Sequence, residues 1–518
     1  MRRTTLTALA TILMLGATTA AVAQDKPEAA KGEKPAAASE GWVKASADER
    51  TASIFNTINV GGKALRYKAT AGTLTVRNDD GKPTGSLFYV AYTAGDKPDP
   101  KRPVTFLFNG GPGSSSLWLH MGSFGPQWIK PGDPEVMKPG PFSLEANPYN
   151  LMGETDLVFI DMMNAGYSRP LGDTPAKAFY GVDQDVDAFA RAINRYITLN
   201  GRWSSPKYIF GESYGTLRAG ALANKLQEGG TALNGVILLS SIMNYGVRQP
   251  GYDQNHLTLF PTYAATAWYH NRIQNRPADL AAFVQQAREF TSGRYAAALA
   301  KGDTISAEEK AAVANEMSQF IGIPAQVILN NNLRMELGRF RKELLRDQRL
   351  TVGRLDSRYR GVDVDAGGAS PEGDIANDAI TGAYGGMVRD YVNNTIGYKT
   401  DLDYRLSARD AGGFDWDWKH RAPGQGFGAQ TTPNTAVDLS VAMRSNPHLK
   451  VLALNGYYDM ATPFYGLEFD VSHMMLEPAQ RKNVELTYYP SGHMIYLNPE
   501  AMKTMHEDVV RWYRQTAR

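Results

Sequence analysis

A seven-residue stretch, Ile209-Phe210-Gly211-Glu212-Ser213-Tyr214-Gly215, constrains the fold of this chain more than any other feature. It completes an apolar run that begins at Tyr208, and it precedes residues 216–228, which have the composition of a helix. A G-x-S-x-G pattern between a strand and a helix is typical of a nucleophile elbow, a sharp turn that exposes the serine hydroxyl. The next amide, that of Tyr214, would lie at a helix N-terminus, where it can bind a developing oxyanion.

The composition excludes several kinds of chemistry. The chain has no cysteine, so disulfides, a thiolate nucleophile and Cys-rich metal sites are excluded. Its 55 basic residues are nearly balanced by 53 acidic ones, which gives no reason to expect nucleic acid or an anionic membrane surface as a partner. With 518 residues, 43% of them hydrophobic, the chain can bury a large core in one or two domains.

The first 23 residues have the pattern of a signal peptide. Arg2-Arg3 form a basic start, residues 6–15 an apolar middle, and Ala21-Val22-Ala23 a small-residue cleavage site. The alternative is a retained N-terminal anchor, against which the short apolar middle argues. We therefore expect an exported protein, periplasmic or secreted, without membrane contact after leader cleavage. Residues 24–45, rich in Lys, Glu, Ala and Pro, are predicted to form a disordered linker.

Strand and helix patterns alternate over much of the remaining chain. This alternation is typical of a mostly parallel sheet covered by helices, and the first strands, joined by an Asp80-Gly81 hairpin turn, are expected to be antiparallel. The predicted strands are residues 53–60, 64–76, 85–92, 103–108, 156–160, 235–240, 450–454 and 483–489.

The alternation stops between residues 246 and 434, which are mainly helical and include an amphipathic run over 324–345. We therefore predict that residues 46–245 and 435–518 form a catalytic core and that residues 246–434 are an inserted cap. A last helix is predicted to begin after Asn498, as its N-cap, with Met502, Met505, Val509 and Trp512 facing the sheet.

A serine nucleophile needs a base, and the base needs an acid to orient it. In α/β-hydrolases these residues follow the serine in the order acid, then histidine, on loops after late strands. Asp459 follows the strand at 450–454, and His493 lies in a glycine-flanked loop after the strand at 483–489. We therefore predict that Ser213, Asp459 and His493 form a catalytic triad.

Other residues compete for these roles. His120, just after a glycine-rich loop, is the rival base, and Asp438 and Asp470 are rival acids, although neither of them ends a strand. His473 and His506 fall within predicted helices, where a structural role is expected.

The glycine-rich loop Asn109-Gly110-Gly111-Pro112-Gly113 follows the predicted strand 103–108. In folds of this type the second oxyanion amide lies at this position, so Gly111 and Tyr214 are the predicted oxyanion hole. A phosphate-binding loop is the alternative, but the lysine and the Ser/Thr spacing of a P-loop are missing.

Five motifs together resemble the serine carboxypeptidase family, in the family's order and over roughly residues 50–518. The resemblance implies an α/β-hydrolase fold with an inserted cap. It also implies removal of one residue from a peptide with a free C-terminus, through an acyl-serine intermediate. The motifs are Phe108–Ser116, Asp161–Ser168, Gly211–Gly215, Asn455–Asp459 with Pro463, and Gly492-His493-Met494.

The resemblance also implies that Asn109, Gly110 and Glu212 bind the terminal carboxylate of the substrate. A glutamate can do so only when it is protonated or shares a proton, because two carboxylates repel each other. The family pairs this glutamate with a second one, whose place here is taken by Ser123. We therefore expect Glu212 to titrate differently or to face a basic group.

Two other functions stay open at this point. An esterase or acyltransferase could use the same triad, because fold and triad do not fix the substrate. The chain could also be a non-catalytic exported binding domain, against which the intact Ser, Asp and His argue. We expect neither a metal nor another cofactor in any of these functions.

Overall fold

The computed structural model describes residues 45–426 and 428–517. The predicted leader (1–23) and the predicted linker, apart from Ala45, lie outside the described residues. The described residues belong to one contact unit, so the boundary between a core and a cap at residues 246 and 434 stays a prediction. None of the helices in the described ranges is both long and apolar enough to cross a bilayer.

A ten-stranded sheet organises the fold, and nine of its strands form a continuous path in the order β1-β2-β3-β5-β4-β6-β7-β8-β9. The tenth, the short strand Arg169–Pro170, pairs with β3. The nine strands are β1 (Thr51–Val60), β2 (Lys63–Arg77), β3 (Pro83–Ala94), β4 (Val104–Phe108), β5 (Asp156–Ile160), β6 (Lys207–Ser213), β7 (Gly235–Ser241), β8 (Lys450–Gly456) and β9 (Val484–Tyr489).

The directions of these strands match the sequence-based prediction. Strands β1, β2, β3 and β5 pair in antiparallel fashion, whereas every pair from β5 to β9 is parallel. A mostly parallel central sheet with antiparallel N-terminal strands is the α/β-hydrolase architecture, and the predicted fold class is therefore confirmed. In such sheets, ligands bind at the carboxyl ends of the parallel strands.

Fourteen α-helices lie in the described ranges, and π-helical turns at Thr291–Tyr295 and Tyr391–Thr395 extend two of them. Two short two-stranded sheets, Gln127–Trp128 with Glu145–Ala146 and Thr351–Val352 with Arg360–Gly361, lie outside the main sheet. The helices are α1 (Leu117–Gly122), α2 (Val182–Leu199), α3 (Tyr214–Glu228), α4 (Gln254–Tyr269), α5 (Leu280–Phe290), α6 (Ala296–Ala300), α7 (Ala307–Ile321), α8 (Ala325–Asn330), α9 (Leu337–Glu343), α10 (Ile375–Asp390), α11 (Ala436–Ser445), α12 (Phe464–Ser472), α13 (Pro478–Arg481) and α14 (Pro499–Thr516).

Helices cover both faces of the sheet. Successive residues of a strand point to opposite faces, and accordingly Ile209 packs in one buried cluster with α2, α3 and α11, whereas Phe210 packs in another with α1, α10 and α14. Both clusters are apolar, so β6 is buried on its two sides. Strand β6 is therefore packed between two cores.

The predicted last helix is confirmed. Asn498 Oδ1 accepts the amides of Glu500 and Ala501 at 3.0 and 3.1 Å, which caps the N-terminus of α14. Its predicted sheet-facing residues are buried in the same core cluster as β8: Met502, Met505, Val509 and Trp512.

The amphipathic run predicted over residues 324–345 is wrong as a continuous helix. The structure has two short helices there, α8 and α9, and Asn331 lies in the turn that follows α8. Asn332 and Leu333 have φ angles of 52° and 65°, which a right-handed helix does not contain. Three consecutive asparagines explain the break, because their side chains compete for backbone hydrogen bonds, as Asn331 Nδ2 does by donating to the carbonyl of Val327.

Candidate active site

Ser213 ends β6 at the carboxyl edge of the sheet, and Tyr214 begins α3 directly after it. The serine has a φ of 62°, a left-handed conformation that is uncommon for residues other than glycine and recurs at functional sites. The flanking glycines permit this turn. A Cβ on Gly211 would lie 2.1 Å from the carbonyl oxygen of Gly215, and one on Gly215 would lie 2.8 Å from that of Phe108.

The glycine-rich loop after β4 lies against the elbow. A Cβ on Gly110 would lie 2.4 Å from the amide nitrogen of Tyr214 and 2.6 Å from that of Gly215. Gly111, the next residue, has a φ of 110°, which only glycine adopts readily. The structure thus brings together the two backbone segments that carry the predicted oxyanion amides of Gly111 and Tyr214.

Buried polar contacts fix the loop in this place. Asn109 Oδ1 accepts the amide of Leu119 at 3.0 Å, and the carbonyl of Asn109 accepts a hydrogen bond from Arg218 at 2.8 Å. Arg218 is fully buried and is paired with Asp185 at 2.7 Å. Sequence reasoning missed this arginine, because it lies within helix α3 and only the folded chain brings it to the end of β4.

The predicted acid and base meet at the ends of β8 and β9. His493 Nδ1 lies 2.8 Å from Asp459 Oδ2, and both side chains are buried. The amides of Ala461 and Thr462 donate to Asp459 Oδ1 at 2.8 and 2.9 Å. The carboxylate is therefore fixed by its own loop, and it holds the imidazole by Nδ1, which leaves Nε2 without a contact to this carboxylate.

Thr462 is a residue of this group that sequence reasoning missed. Its hydroxyl lies 2.6 Å from Asp459 Oδ2, 3.0 Å from His493 Nδ1 and 2.8 Å from the carbonyl oxygen of Ser240. The signal was present in the sequence, because a threonine three residues after an aspartate can return its hydroxyl to that carboxylate. Thr462 ties the acid and the base to β7.

The strand next to Ser213 also holds His493. Ser241 on β7 is the register partner of Ser213, and the hydroxyl of the preceding Ser240 donates to the carbonyl oxygen of His493 at 2.6 Å. Within the described ranges no hydrogen bond joins the Ser213 hydroxyl to His493. Hydrogen bonds between catalytic groups are often long in free enzymes and tighten when substrate binds.

Electrostatic effects on His493 oppose each other. Burial lowers the pKa of its imidazole, but the charge and the hydrogen bond of Asp459, with a further contribution from Glu212, raise it above the usual value. An imidazolium formed by proton uptake is therefore stabilised. The residue can accept a proton in one step and return it in the next.

Glu212 is buried next to the elbow. The hydroxyl of Tyr496 donates to its two carboxylate oxygens at 3.2 and 3.0 Å. Burial raises the pKa of Glu212 to about 7, although the charge of His493 and the hydrogen bonds from Tyr496 and Asn109 lower it. The expectation that Glu212 titrates differently therefore agrees with the structure, whereas its hydrogen-bonding partners are a phenol and an amide rather than a basic group.

Tyrosines pack against the helix end that carries Ser123. The Ser123 hydroxyl donates to the carbonyl of Leu119 at 2.6 Å, within its own helix turn. A Cβ on the preceding Gly122 would lie 2.6 Å from the ring of Tyr496 and 2.7 Å from the hydroxyl of Tyr384. Tyr496, which is distant from Ser123 in sequence, donates to Glu212, and the family resemblance did not predict this contact.

The rival residues have other partners. His120 Nε2 lies 2.6 Å from the Tyr92 hydroxyl in the core, and burial lowers the pKa of His120 to about 3. Asp438 lies 3.0 Å from His420, and Asp470 lines a cavity that Thr462 also lines, without a hydrogen bond to His493 among the described residues. No cluster of three or more His, Asp or Glu side chains in the described part of the chain is arranged to hold a metal ion.

The sequence profile of the serine carboxypeptidase family matches residues 61–342, which is more than half of the chain. The chain belongs to this family. It is accordingly a serine hydrolase, and the matched region includes the glycine-rich loop and the elbow with Ser213. Asp459 and His493 lie beyond the matched region, so their assignment rests on the geometry given above. No curated protein sequence matches the chain.

Among solved structures, this serine carboxypeptidase family member is similar to a proline iminopeptidase from Mycobacterium smegmatis, with 14% identity, a TM-score of 0.36, and coverage of 86% of this chain and 98% of the other. A carboxyl esterase from Bacillus coagulans has 13% identity and a TM-score of 0.35, with the same coverage of both chains. At these values the two likenesses carry no argument about activity.

A substitution at Gly110 tests how tightly the elbow is packed. Because its Cβ would meet backbone atoms that cannot move independently, Gly110→Ala is expected to lower kcat at least about 10²-fold by displacing the oxyanion donors. We also expect a loss of stability of about 1–3 kcal/mol. Steady-state kinetics and thermal unfolding measure the two effects.

Gly382→Ala is the matched control for this prediction. Gly382 lies within α10, and nothing lies within 4 Å of an added Cβ. Alanine stabilises a helix by about 1 kcal/mol relative to glycine, so this variant should keep its activity and melt no earlier than the wild type. Equal activities of the two variants would contradict the close contact between the loop and the elbow.

Proposed function

We propose that the protein is an exported serine carboxypeptidase that releases the C-terminal residue of peptides. The observation that carries the proposal is the buried Glu212 beside Asn109 and next to Ser213, because a neutral carboxyl group can hold the terminal carboxylate of a substrate. Export is supported by the predicted leader, residues 1–23. A mature N-terminus at Gln24 in protein recovered from the periplasm or the medium tests the export.

The geometry supports a two-step acyl-transfer mechanism. The Ser213 hydroxyl attacks the last peptide carbonyl, His493 takes its proton, and the amides of Gly111 and Tyr214 hold the oxyanion. Breaking of the C–N bond leaves an acyl-serine, and the imidazolium returns the proton to the departing amine. Water, deprotonated by His493, then releases the shortened peptide and restores Ser213.

The terminal carboxylate would be held by the Asn109 amide group, the backbone of Gly110 and the protonated Glu212. If Glu212 and the terminal carboxylate of the substrate were both ionised, they would repel each other. Glu212 therefore has to carry a proton when substrate binds. Its pKa, raised to about 7 by burial, is consistent with this requirement, whereas the hydrogen bond from Tyr496 by itself favours the ionised form.

The free C-terminus of the substrate provides the direct test. Hydrolysis of an N-blocked dipeptide should have a kcat/KM at least about 10²-fold higher than that of its C-terminal amide, because a site built to bind a polar group discriminates strongly against its absence. Equal rates for the acid and the amide would overturn carboxypeptidase activity. A preference for simple esters would favour the esterase alternative, which uses the same triad.

The pH dependence of this preference reports on Glu212. The pKa of Glu212 is about 7, so its neutral fraction falls about tenfold for each pH unit above that value. The ratio of kcat/KM for the free acid to that for the amide should therefore be level below pH 7 and fall above it. Ionisation of the triad affects both substrates alike and cancels in the ratio.

Glu212→Gln is the matched variant for this test. A glutamine cannot ionise, so the ratio should become independent of pH between 6 and 9 while some preference for the free acid is kept. A fall of the ratio in Glu212→Gln with the same midpoint as in the wild type would assign the titration to another group.

A further inference from the structure

A cavity of about 210 Å³ lies beside the triad. Its lining includes Ser241, the register partner of Ser213, and Thr462, whose hydroxyl contacts Asp459 and His493. The cavity therefore shares a wall with the catalytic residues. Since a water molecule takes about 30 Å³ of liquid, the cavity has room for a side chain of several heavy atoms.

Two arginines without an ion-pair partner line this cavity. Arg248 and Arg354 are half-buried and form no salt bridge with any residue in the described ranges, whereas the buried guanidinium groups of Arg218 and Arg358 are paired with carboxylates at 2.7 and 2.6 Å. Arg248 donates to the carbonyl of Ala461. Burial lowers the pKa of this arginine, whereas the nearby carboxyl groups of Asp459 and Asp470 raise it without forming an ion pair with the guanidinium. Two half-buried guanidinium groups without an ion-pair partner on one cavity wall can bind an anionic group by charge-assisted hydrogen bonds.

A buried carboxyl group completes the polar lining. Asp470 Oδ1 is buried without a hydrogen-bond partner, and burial raises the pKa of Asp470 to about 7. In its neutral form this group can donate a hydrogen bond to an anion. The rest of the lining includes apolar side chains that would pack on an aliphatic stem: Val247, Leu259, Leu337 and Met460.

The strand order assigns the cavity to one side of the reacting bond. Strand β6, which ends at Ser213, lies between β4 and β7 in the sheet. Asn109 and the proposed carboxylate site directly follow β4, whereas β7 ends at Ser241 on the cavity wall. The leaving residue would occupy the β4 side. The residue that supplies the acyl group would therefore lie on the β7 side, next to Arg354.

We propose that this cavity is a specificity site for an acidic side chain, Glu or Asp, on the residue that supplies the acyl group. Arg354 and Arg248 are its specificity-determining residues, and they bind the side-chain carboxylate. This assignment rests on the proposed function, since it names the class of peptide that the carboxypeptidase cleaves. It also holds for ester substrates, because they give the same acyl-serine.

Substrates that differ only in charge test the proposal. N-acetyl-Glu-Phe and N-acetyl-Gln-Phe have side chains of nearly equal size, and the wild type should cleave the first with at least about tenfold higher kcat/KM. Arg354→Gln should reduce this ratio to about one, and Arg354→Glu should favour N-acetyl-Lys-Phe over N-acetyl-Glu-Phe. Arg349→Gln, an exposed arginine outside the cavity lining, should keep the wild-type ratio.

The p-nitrophenyl esters of N-acetyl-Glu and N-acetyl-Gln separate this proposal from the proposed function. If peptides are not cleaved but the esters show the same charge preference and its loss in Arg354→Gln, the specificity site stands and the carboxypeptidase activity does not. Equal wild-type rates on the Glu and Gln members of both pairs would overturn the site. The site would also be overturned if Arg354→Gln lost activity on all free-acid peptides alike, because the arginine would then hold the terminal carboxylate.

Discussion

Ser213→Ala is expected to lower kcat by about 10⁶-fold, because removal of the nucleophile of a serine triad leaves only oxyanion stabilisation and binding. Serine and alanine adopt the left-handed φ of 62° at this position about equally readily, so the elbow should keep its shape. Ser213 is also only partly buried, and loss of its hydroxyl creates no large cavity. The fold and the melting temperature should therefore stay close to those of the wild type.

Two measurements check this prediction. Single-turnover and steady-state kinetics on a blocked dipeptide give the loss of kcat, and a fluorophosphonate probe should label the wild type but not the variant. Ser472→Ala, an exposed serine at the end of α12, is the matched control and should be labelled normally. Hydrolysis by Ser213→Ala at the wild-type rate would refute the assignment of the nucleophile, and labelling of neither protein would favour the non-catalytic binding domain.

Features that depend on local sequence were predictable in this chain. The elbow requires a glycine at position 211 whatever the rest of the fold does, because a Cβ there would lie 2.1 Å from the carbonyl oxygen of Gly215 in the same turn. Asp459 and His493 each lie in the loop that follows a parallel strand, and parallel strands bring their carboxyl ends to one edge of the sheet. The order of the motifs along the chain was therefore sufficient to predict which catalytic residues lie at the same edge of the sheet.

Features that depend on tertiary contact were not predictable in the same way. Tyr496 donates to Glu212 across 284 positions of the chain, and no spacing rule connects the two residues. Arg354 reaches the cavity from the loop that joins the short strands Thr351–Val352 and Arg360–Gly361. Only the folded chain shows which side chains converge, so the substrate-binding surroundings of a recognisable triad are the part that sequence reasoning misses.

Ser123, in place of the family's second glutamate, combines a local feature with a tertiary one. The resemblance implies a second glutamate that shares a proton with Glu212, and its absence alone would predict an unpartnered carboxylate. The structure instead shows a phenol from Tyr496 at this carboxylate, and a phenol remains a hydrogen-bond donor across the whole range in which Glu212 titrates. The pairing of two acids is thereby replaced by an acid and a fixed donor.

Asp459→Asn is expected to lower kcat by about 10⁴-fold while leaving the loop folded, the effect known for the orienting acid of a serine triad. Oδ1 of Asp459 accepts two backbone amides, so the amide oxygen of an asparagine would take that place and its NH₂ group would take the place of Oδ2. The NH₂ group would then face His493 Nδ1 at the distance of the present 2.8 Å contact. Because two donors cannot share this contact, the imidazole would have to carry its proton on Nε2.

An imidazole with its proton on Nε2 cannot accept the proton of Ser213, which is why the loss should appear in kcat and in the rate of fluorophosphonate labelling rather than in folding. Thr462→Val separates this tautomer effect from a general weakening of the group, since it removes one hydroxyl contact with Asp459 Oδ2 but keeps the carboxylate. We expect a loss of about tenfold for Thr462→Val, in line with one hydrogen bond of about 1.4 kcal/mol. Asp390→Asn, which changes an exposed carboxylate at the end of α10, should have no effect. Equal losses in Asp459→Asn and Thr462→Val would mean that Asp459 acts by packing and not by orienting the base.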